Sequence, residues 1–200
     1  MKTKFVILMT IFMSMLEMNV KAQTVQPTEG KKVLIAYYSR RGNNYRNGEI
    51  VDLKVGNTEV VAGKIKALTG GDMFYIETVK PYPTDYHETT QVAQKEQKEN
   101  ARPAIKGKVT NMSDYDVIYL GYPNWWGTMP MAVFTFLESY DLSGKRIVPF
   151  CTHEGSAMGH SEQDIKKICP KAIILKGLAI RGSNVQDADK AIENWVKTVK

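Results

Sequence analysis

The stretch GYPNWWGTMP (121–130) sets Trp125 and Trp126 side by side between Pro123 and Gly127, directly after the apolar run DVIYL. Two indoles in a proline- and glycine-bounded loop are poorly placed for a core. They are well placed to stack on a flat aromatic molecule while the backbone around Asn124 and Gly127 meets its polar edge. At least one indole takes that role and the other is partly structural; Trp126 is the first choice, with Trp125 the alternative. A second segment, SRRGNNYRNGEIVDLKVGNT (39–58), carries Ser39, Gly42, Gly56, Asn57 and Thr58. Their hydroxyls and unobstructed N–H groups at a helix start would accept an anion. The third segment, THEGSAMGHS (152–161), presents Thr152, Gly155, Ser156 and Gly159 in the same way, with His153 and Glu154 among them.

Several other chemistries fail on spacing. No Gly-Lys-Ser/Thr follows the glycines of the first loop, so it is not the phosphate loop of a nucleotide hydrolase. Cys151 and His153 could form a nucleophile and base, but residues two apart at a strand end need not touch, and no third residue orients them. Ser156 has Glu154 two before it and Met158 two after it, which rules out the glycine-flanked serine elbow. His87, His153 and His160 show no metal-ligand spacing. The formal charge of +6 comes without a clustered basic patch, which argues against a nucleic-acid partner.

The elements that must position these loops read as alternating strands and helices. KVLIAYYS (32–39) is a continuous apolar run, the pattern of a strand buried on both faces. In NTEVVAGKIKALTGG, Val61, Ile65 and Leu68 recur at helical spacing, with Asn57 or Thr58 as cap and Gly70-Gly71 as stop. DMFYIE is a second strand, DYHETTQVAQKEQKENARP a polar helix, and DVIYLGYP a third strand. TMPMAVFTFLESY reads as a helix with Pro130 in its first turn. KRIVPFC and AIILKGLAI supply strands four and five around a short helix at SEQDIKKI, and NVQDADKAIENWVKTVK closes the chain with an apolar stripe. Strand-helix alternation of this kind builds a parallel, doubly wound α/β sheet. Its ligands lie outside the carboxyl ends of the strands, where all three loops fall.

The first 22 residues read as a secretory signal peptide: Lys2 and Lys4, an apolar stretch from Phe5 to about Leu16, and Val20-Lys21-Ala22 as the cleavage site. Glu17 and the shortness of the run argue against a spanning helix. Residues 23–31 form a polar lead-in and 32–200 one domain. Export would place the mature chain in the periplasm, with no membrane span once the signal is cleaved. Cys151 ends one strand and Cys169 precedes the next. Parallel strands put these points at opposite ends of a sheet about 17–20 Å deep, too far for a disulfide, so two free thiols are expected.

In order along the chain, VLIAYYSRRGNNY, GNTEVVAGKI, YPTDYHETTQVAQKEQKENARP, GYPNWWGTMPMAVFTFLE and VPFCTHEGSAMG resemble the flavodoxin family, in particular its long-loop bacterial branch, over residues 32 to 200. The resemblance implies a three-layer sandwich around a five-stranded parallel sheet in the order 2-1-3-4-5, and FMN as the cofactor. It implies a phosphate site at Ser39, Arg41, Asn57 and Thr58. The isoalloxazine would lie between Pro123, Asn124, Trp125, Trp126 and Gly127 on one side and Thr152, His153, Glu154, Gly155 and Ser156 on the other. Two departures stand out. About a dozen residues separate Gly42 from Gly56, leaving either half of that loop, or both, to hold the phosphate. The chain is also basic where electron-carrier flavodoxins are commonly acidic, so a less negative potential is expected. Two functions follow: an exported electron-transfer protein, acting as a carrier for a partner protein or as a reductase of quinone-like small acceptors; or a non-redox module holding another phosphorylated aromatic ligand. Donor, acceptor and oligomeric state are left open.

Overall fold

The computed structural model describes residues 30–199; the segment 1–22 read as a signal peptide and most of the segment 23–31 read as a polar lead-in lie outside the described residues. β1 (Val33–Tyr37) is buried at every position, as its unbroken apolar run requires. Its side chains alternate between two cores. Val33, Ile35 and Tyr37 join Val61, Ile65, Tyr119, Phe150 and Trp195 on one face, while Leu34, Ala36 and Tyr38 join Ile118, Leu120, Phe136 and Ile165 on the other. Helices α1 (Asn57–Thr69) and α5 (Asp189–Val196) cover the first face. α3 (Met131–Glu138) and α4 (Ser161–Ile168) cover the second.

The sheet order is that of a doubly wound domain. β4 (Asp72–Tyr75) pairs with β1, β1 with β5 (Val117–Pro123), and β5 with β6 (Arg146–His153), all parallel. In the expected strand numbering this is 2-1-3-4-5. The fifth strand, however, comes as two pieces: β7 (Ile173–Ile174) and β8 (Leu178–Arg181) both pair with β6. Pro149 in β6 accounts for the break. The Leu175 N–H donates to the Ile147 carbonyl at 2.9 Å, and the next rung of a parallel ladder would need an N–H from residue 149, which proline lacks.

Two local expectations are corrected. The long loop after β1 is not irregular: β2 (Gly42–Arg46) and β3 (Glu49–Leu53) form an antiparallel hairpin. Its tip is Asn47-Gly48, with φ of 50° and 97°, the signature of the two-residue turn that matches strand twist. Helix α1 is also not capped by Asn57 or Thr58. Gly56 occupies the N-cap position, and Ser39 Oγ, at the end of β1, accepts the Glu59 N–H at 3.0 Å. Pro130 stands at the N-cap position of α3, just ahead of its first turn. Both cysteines are free and buried.

Candidate functional site

The cap on α1 joins the two ends of the long loop. A Cβ on Gly56 would lie 2.2 Å from Ser39 Oγ and 2.5 Å from the Arg40 carbonyl oxygen. The 39–40 and 56–58 segments therefore meet side by side, and the β2–β3 hairpin is looped out between them. Both halves of the loop contribute to one cradle at the start of α1, where the first N–H groups of a helix have no partner within it. Thr58 Oγ1 and Thr152 Oγ1 form a buried hydroxyl pair at 2.8 Å that ties this cradle to the end of β6.

A groove opens above the cradle, in two lobes that share Arg40, Asn44, Tyr86, Asn124 and Trp125. The smaller lobe, about 120 Å³, adds Asn57, Thr58, Pro123, Thr152, His153 and Glu154. The larger, about 390 Å³, runs along α2 (Tyr86–Lys98) and adds Thr89, Thr90, Ala93 and Trp126. The hairpin forms a wall: Tyr45 stacks on Tyr86 with ring centroids 6.3 Å apart.

The tryptophan loop is a tight turn. Trp125 and Thr128 exchange backbone hydrogen bonds of 2.7 and 3.2 Å around Trp126 and Gly127, whose φ values are 54° and 88°. A bulky residue in the left-handed region is strained, and such strain persists only where surrounding contacts impose it. Here Trp126 Nε1 donates to the Thr90 carbonyl at 2.9 Å, and Gln97 Nε2 donates to the Trp126 carbonyl at 3.2 Å. The turn also sends the two indoles apart. Trp125 packs edge-on against Tyr38 and Tyr82, at 5.4 and 5.1 Å, and lines both lobes. Trp126 is 51% exposed and lines only the larger lobe, so the indole next to the cradle is Trp125 rather than Trp126.

The turn is buttressed by the loop after β6. Asn124 Oδ1 accepts the Gly127 N–H, Asn124 Nδ2 donates to the Ala157 carbonyl, and the His160 N–H donates to the Gly127 carbonyl. At Gly159, φ is +56° and a Cβ would meet the Gly127 oxygen at 2.0 Å.

The remaining site residues divide by direction. Arg41 turns away from the groove, and its Nη2 pairs with Glu59 at 3.0 Å. Consecutive side chains of extended backbone point oppositely, so Arg40 turns in instead. Its Nη2 donates to the Pro83, Thr84 and Asp85 carbonyls and to Thr89 Oγ1, while its buried Nη1 has no partner among the described residues. An unmade hydrogen bond of this kind costs about 1–3 kcal/mol. Nothing in sequence spacing separates Arg40 from Arg41. Glu154 lines the smaller lobe, but its Oε1 accepts the Ser183 N–H and its Oε2 lies 3.6 Å from Arg181 Nε. His153 Nδ1 accepts the Gly155 N–H at 3.0 Å, and burial holds the imidazole below its ordinary pKa. Gly155 and Ser156 are exposed, and neither lines a lobe.

Cys151 carries no sign of a nucleophile. Burial pushes its thiol far above the usual range, and Sγ donates weakly to the Ala157 carbonyl at 3.5 Å. Among the described residues no cluster of His, Cys, Asp and Glu could hold a metal, and no helix is long and apolar enough to cross a membrane.

Comparison with known proteins agrees with this architecture. A family profile described as flavodoxin matches residues 32–199. A solved structure from Bacteroides eggerthii, described as a flavoprotein, is 32% identical, with a TM-score of 0.69 over 84% of this chain and 98% of that one. A second, from Bacteroides uniformis, is 26% identical with a TM-score of 0.66, covering 84% and 99%. A flavoprotein from Lactobacillus acidophilus, solved in complex with FMN, shares the fold at 21% identity and a TM-score of 0.57, covering 80% and 99%. No curated protein matches. With its profile spanning nearly all of the described chain, and its sheet order and loop placement in agreement, the chain belongs to the flavodoxin family.

Proposed function

We propose that this chain binds FMN and serves in electron transfer, the cofactor supplying the redox chemistry and the protein its binding, orientation and access. The observation that carries the reading is the closed cradle: Ser39, Gly56, Asn57 and Thr58 meet at a helix N-terminus, beneath a lobe walled by Trp125 and the ends of β5 and β6. A phosphate fits a helix start of this kind, where dipole and free N–H groups favour negative charge. An aromatic ring fits beside Trp125, with Pro123 and Asn124 on one side and Thr152 and His153 on the other. Family membership and the FMN complex of the Lactobacillus acidophilus relative support the same cofactor.

The chain's own residues have distinct tasks. The Thr58–Thr152 hydroxyl pair and the Asn124 amide hold the loops in register, while Trp125 excludes water from one side. His153, neutral at pH 7 because burial lowers its pKa, brings no cationic charge to the lobe. Glu154 is the single carboxylate lining either lobe, and its charge is partly taken up by Arg181 and the Ser183 N–H. With little negative charge facing the flavin, its potential lies less negative than in acidic flavodoxins; a redox titration giving a midpoint as low as theirs would refute this.

The acceptor is either a partner protein or a quinone-like small molecule. Oxidation of NAD(P)H by the purified protein alone would mark a reductase, and dependence on a partner protein a carrier. Export to the periplasm rests on the N-terminal pattern of Lys2, Lys4, Phe5–Leu16 and Val20–Ala22, and a mature chain beginning after Ala22 in a periplasmic extract would support it. The central test is titration of the purified protein with FMN. Quenching of flavin fluorescence together with a perturbed visible spectrum supports the reading. A protein that ignores FMN but binds another phosphorylated aromatic would replace it with the non-redox module.

A further inference from the structure

The segments that flank α2 build a separate cavity on its other side. Residues 77–79 and 104–106 run antiparallel, with the Val79 N–H donating to the Ala104 carbonyl at 2.8 Å and the Lys106 N–H to the Glu77 carbonyl at 2.7 Å. Pro81, Pro83 and Pro103 keep the chain extended beyond that bridge, because proline disfavours helix at its own position and in the residue before it. The space between these segments and α2 measures about 550 Å³, with walls of Val79, Pro81, Pro83, Val92, Pro103 and Ala104. It shares no lining residue with the groove over the cradle. Thr89, Thr90 and Ala93 of α2 face the groove, whereas Val92 and Glu96 face the cavity. The Tyr82 ring stands as the partition, packed edge-on against Trp125 at 5.1 Å and Tyr38 at 6.0 Å.

Small-molecule pockets run to about 300–1,000 Å³ and combine apolar walls with a few placed polar groups. Here the Tyr82 hydroxyl donates to Glu96 Oε2 at 2.6 Å, which fixes the carboxylate and leaves Oε1 with no hydrogen-bond partner among the described residues. Burial raises the Glu96 pKa against the lowering pull of Tyr82 and Lys80, so the charged form is under-solvated where it stands. Arg102 does not compensate it, since its Nε and Nη2 bind the two Glu138 oxygens at 2.6 and 2.7 Å. Lys80 is exposed at the mouth, where water and salt screen its charge. The uncompensated charge inside the cavity is therefore negative.

We infer that this cavity is a second ligand site, for a small apolar molecule carrying a cationic amine. The amine would donate to Glu96 Oε1, and the hydrocarbon would lie among Pro81, Pro83, Val92 and Pro103. The inference does not depend on the cofactor, because the two sites have no lining residue in common.

The test titrates the FMN-saturated protein with phenethylamine by calorimetry, against 2-phenylethanol as the uncharged analogue and hydrocinnamate as the anionic one. The expected result is saturable one-to-one binding of the amine, tighter than the alcohol by about tenfold or more, the gain that a charged hydrogen bond supplies, with hydrocinnamate weakest. Glu96→Gln keeps an acceptor for Tyr82 and removes the charge, and should bring amine and alcohol within about threefold of each other. Ala104→Phe is the independent arm: it fills the mouth from an exposed position and should abolish amine binding, with FMN affinity unchanged. Wild-type protein that ignores phenethylamine, or that takes the alcohol or hydrocinnamate as tightly, overturns the inference. So does a Glu96→Gln variant that keeps the preference for the amine, or an Ala104→Phe variant that keeps the binding. FMN titrations run alongside read the cofactor separately. Loss of FMN from both variants would join the cavity to the cofactor site and overturn the inference, whereas a wild type that never takes up FMN but binds the amine through Glu96 would sink the cofactor proposal and leave this site standing.

Discussion

Gly56→Ala probes the joint on which the proposed phosphate site depends. The backbone there has φ of −68°, which any residue adopts, so the requirement for glycine is steric. The new methyl would stand 2.2 Å from Ser39 Oγ, 2.5 Å from the Arg40 oxygen and 2.9 Å from the Arg40 carbonyl carbon. The serine hydroxyl can rotate away, but the Arg40 backbone cannot. The 39–40 segment must then retreat by roughly 1 Å, which breaks the 3.0 Å bond from the Glu59 N–H to Ser39. Loss of that cap costs about 1 kcal/mol and overpacking a further 1–3 kcal/mol. The melting temperature of the FMN-free protein should therefore fall by about 5–15 °C. Phosphate binding should suffer more than ring binding. Losing two hydrogen bonds to a charged phosphate, at about 1.5 kcal/mol or more each, raises the FMN Kd about a hundredfold or more. Riboflavin, which lacks the phosphate, should change by less than about threefold, once partial unfolding is corrected from the melting data. Parallel fluorescence titrations with FMN and riboflavin decide the matter. Gly63→Ala is the internal control: it lies in the same helix with nothing within 4 Å of its Cβ, and should stabilise by about 0.5–1 kcal/mol. An unchanged melting temperature and FMN affinity in Gly56→Ala would refute the cradle.

Other consequences are independent of that joint. Trp125→Ala should weaken FMN by about 1–3 kcal/mol, by analogy with stacking on nucleic-acid bases, and Trp126→Ala should leave FMN affinity within about threefold; the reverse order, by flavin fluorescence titration, would restore Trp126 as the stacking indole. Gly159→Ala combines a left-handed φ with a 2.0 Å approach to the Gly127 oxygen, and should destabilise by about 2–4 kcal/mol while changing the near-ultraviolet circular dichroism of the tryptophan turn. His153 should titrate below pH 6.5 by NMR. Because its folded pKa is lowered, the associated stability is present above pH 6.5 and is lost as the pH falls through the folded value. His153→Gln should accordingly flatten the decline in melting temperature between pH 7 and pH 5, and a midpoint at or above 6.5 would contradict the burial argument.

What the sequence determined by itself was periodic or local. The unbroken apolar runs at 33–37 and 117–122 dictate strands buried on both faces, and their alternation with helical segments leaves a parallel, doubly wound sheet as the way to bury them. The loops at the carboxyl ends of the strands follow from that topology, and so does the separation of Cys151 from Cys169. The Asn47-Gly48 turn was equally legible, since Asn-Gly between strand-forming residues is a hairpin signal, but the length of the surrounding loop hid it. Tertiary structure decided the rest, because the deciding contacts join residues far apart in the chain. Whether Ser39 or Asn57 caps α1 depends on a bond across 20 positions, and which arginine enters the groove depends on carbonyls more than 40 residues away. The choice between the two indoles came from a left-handed Trp126, held there by α2 and by the loop after β6, a strain that no local propensity would select.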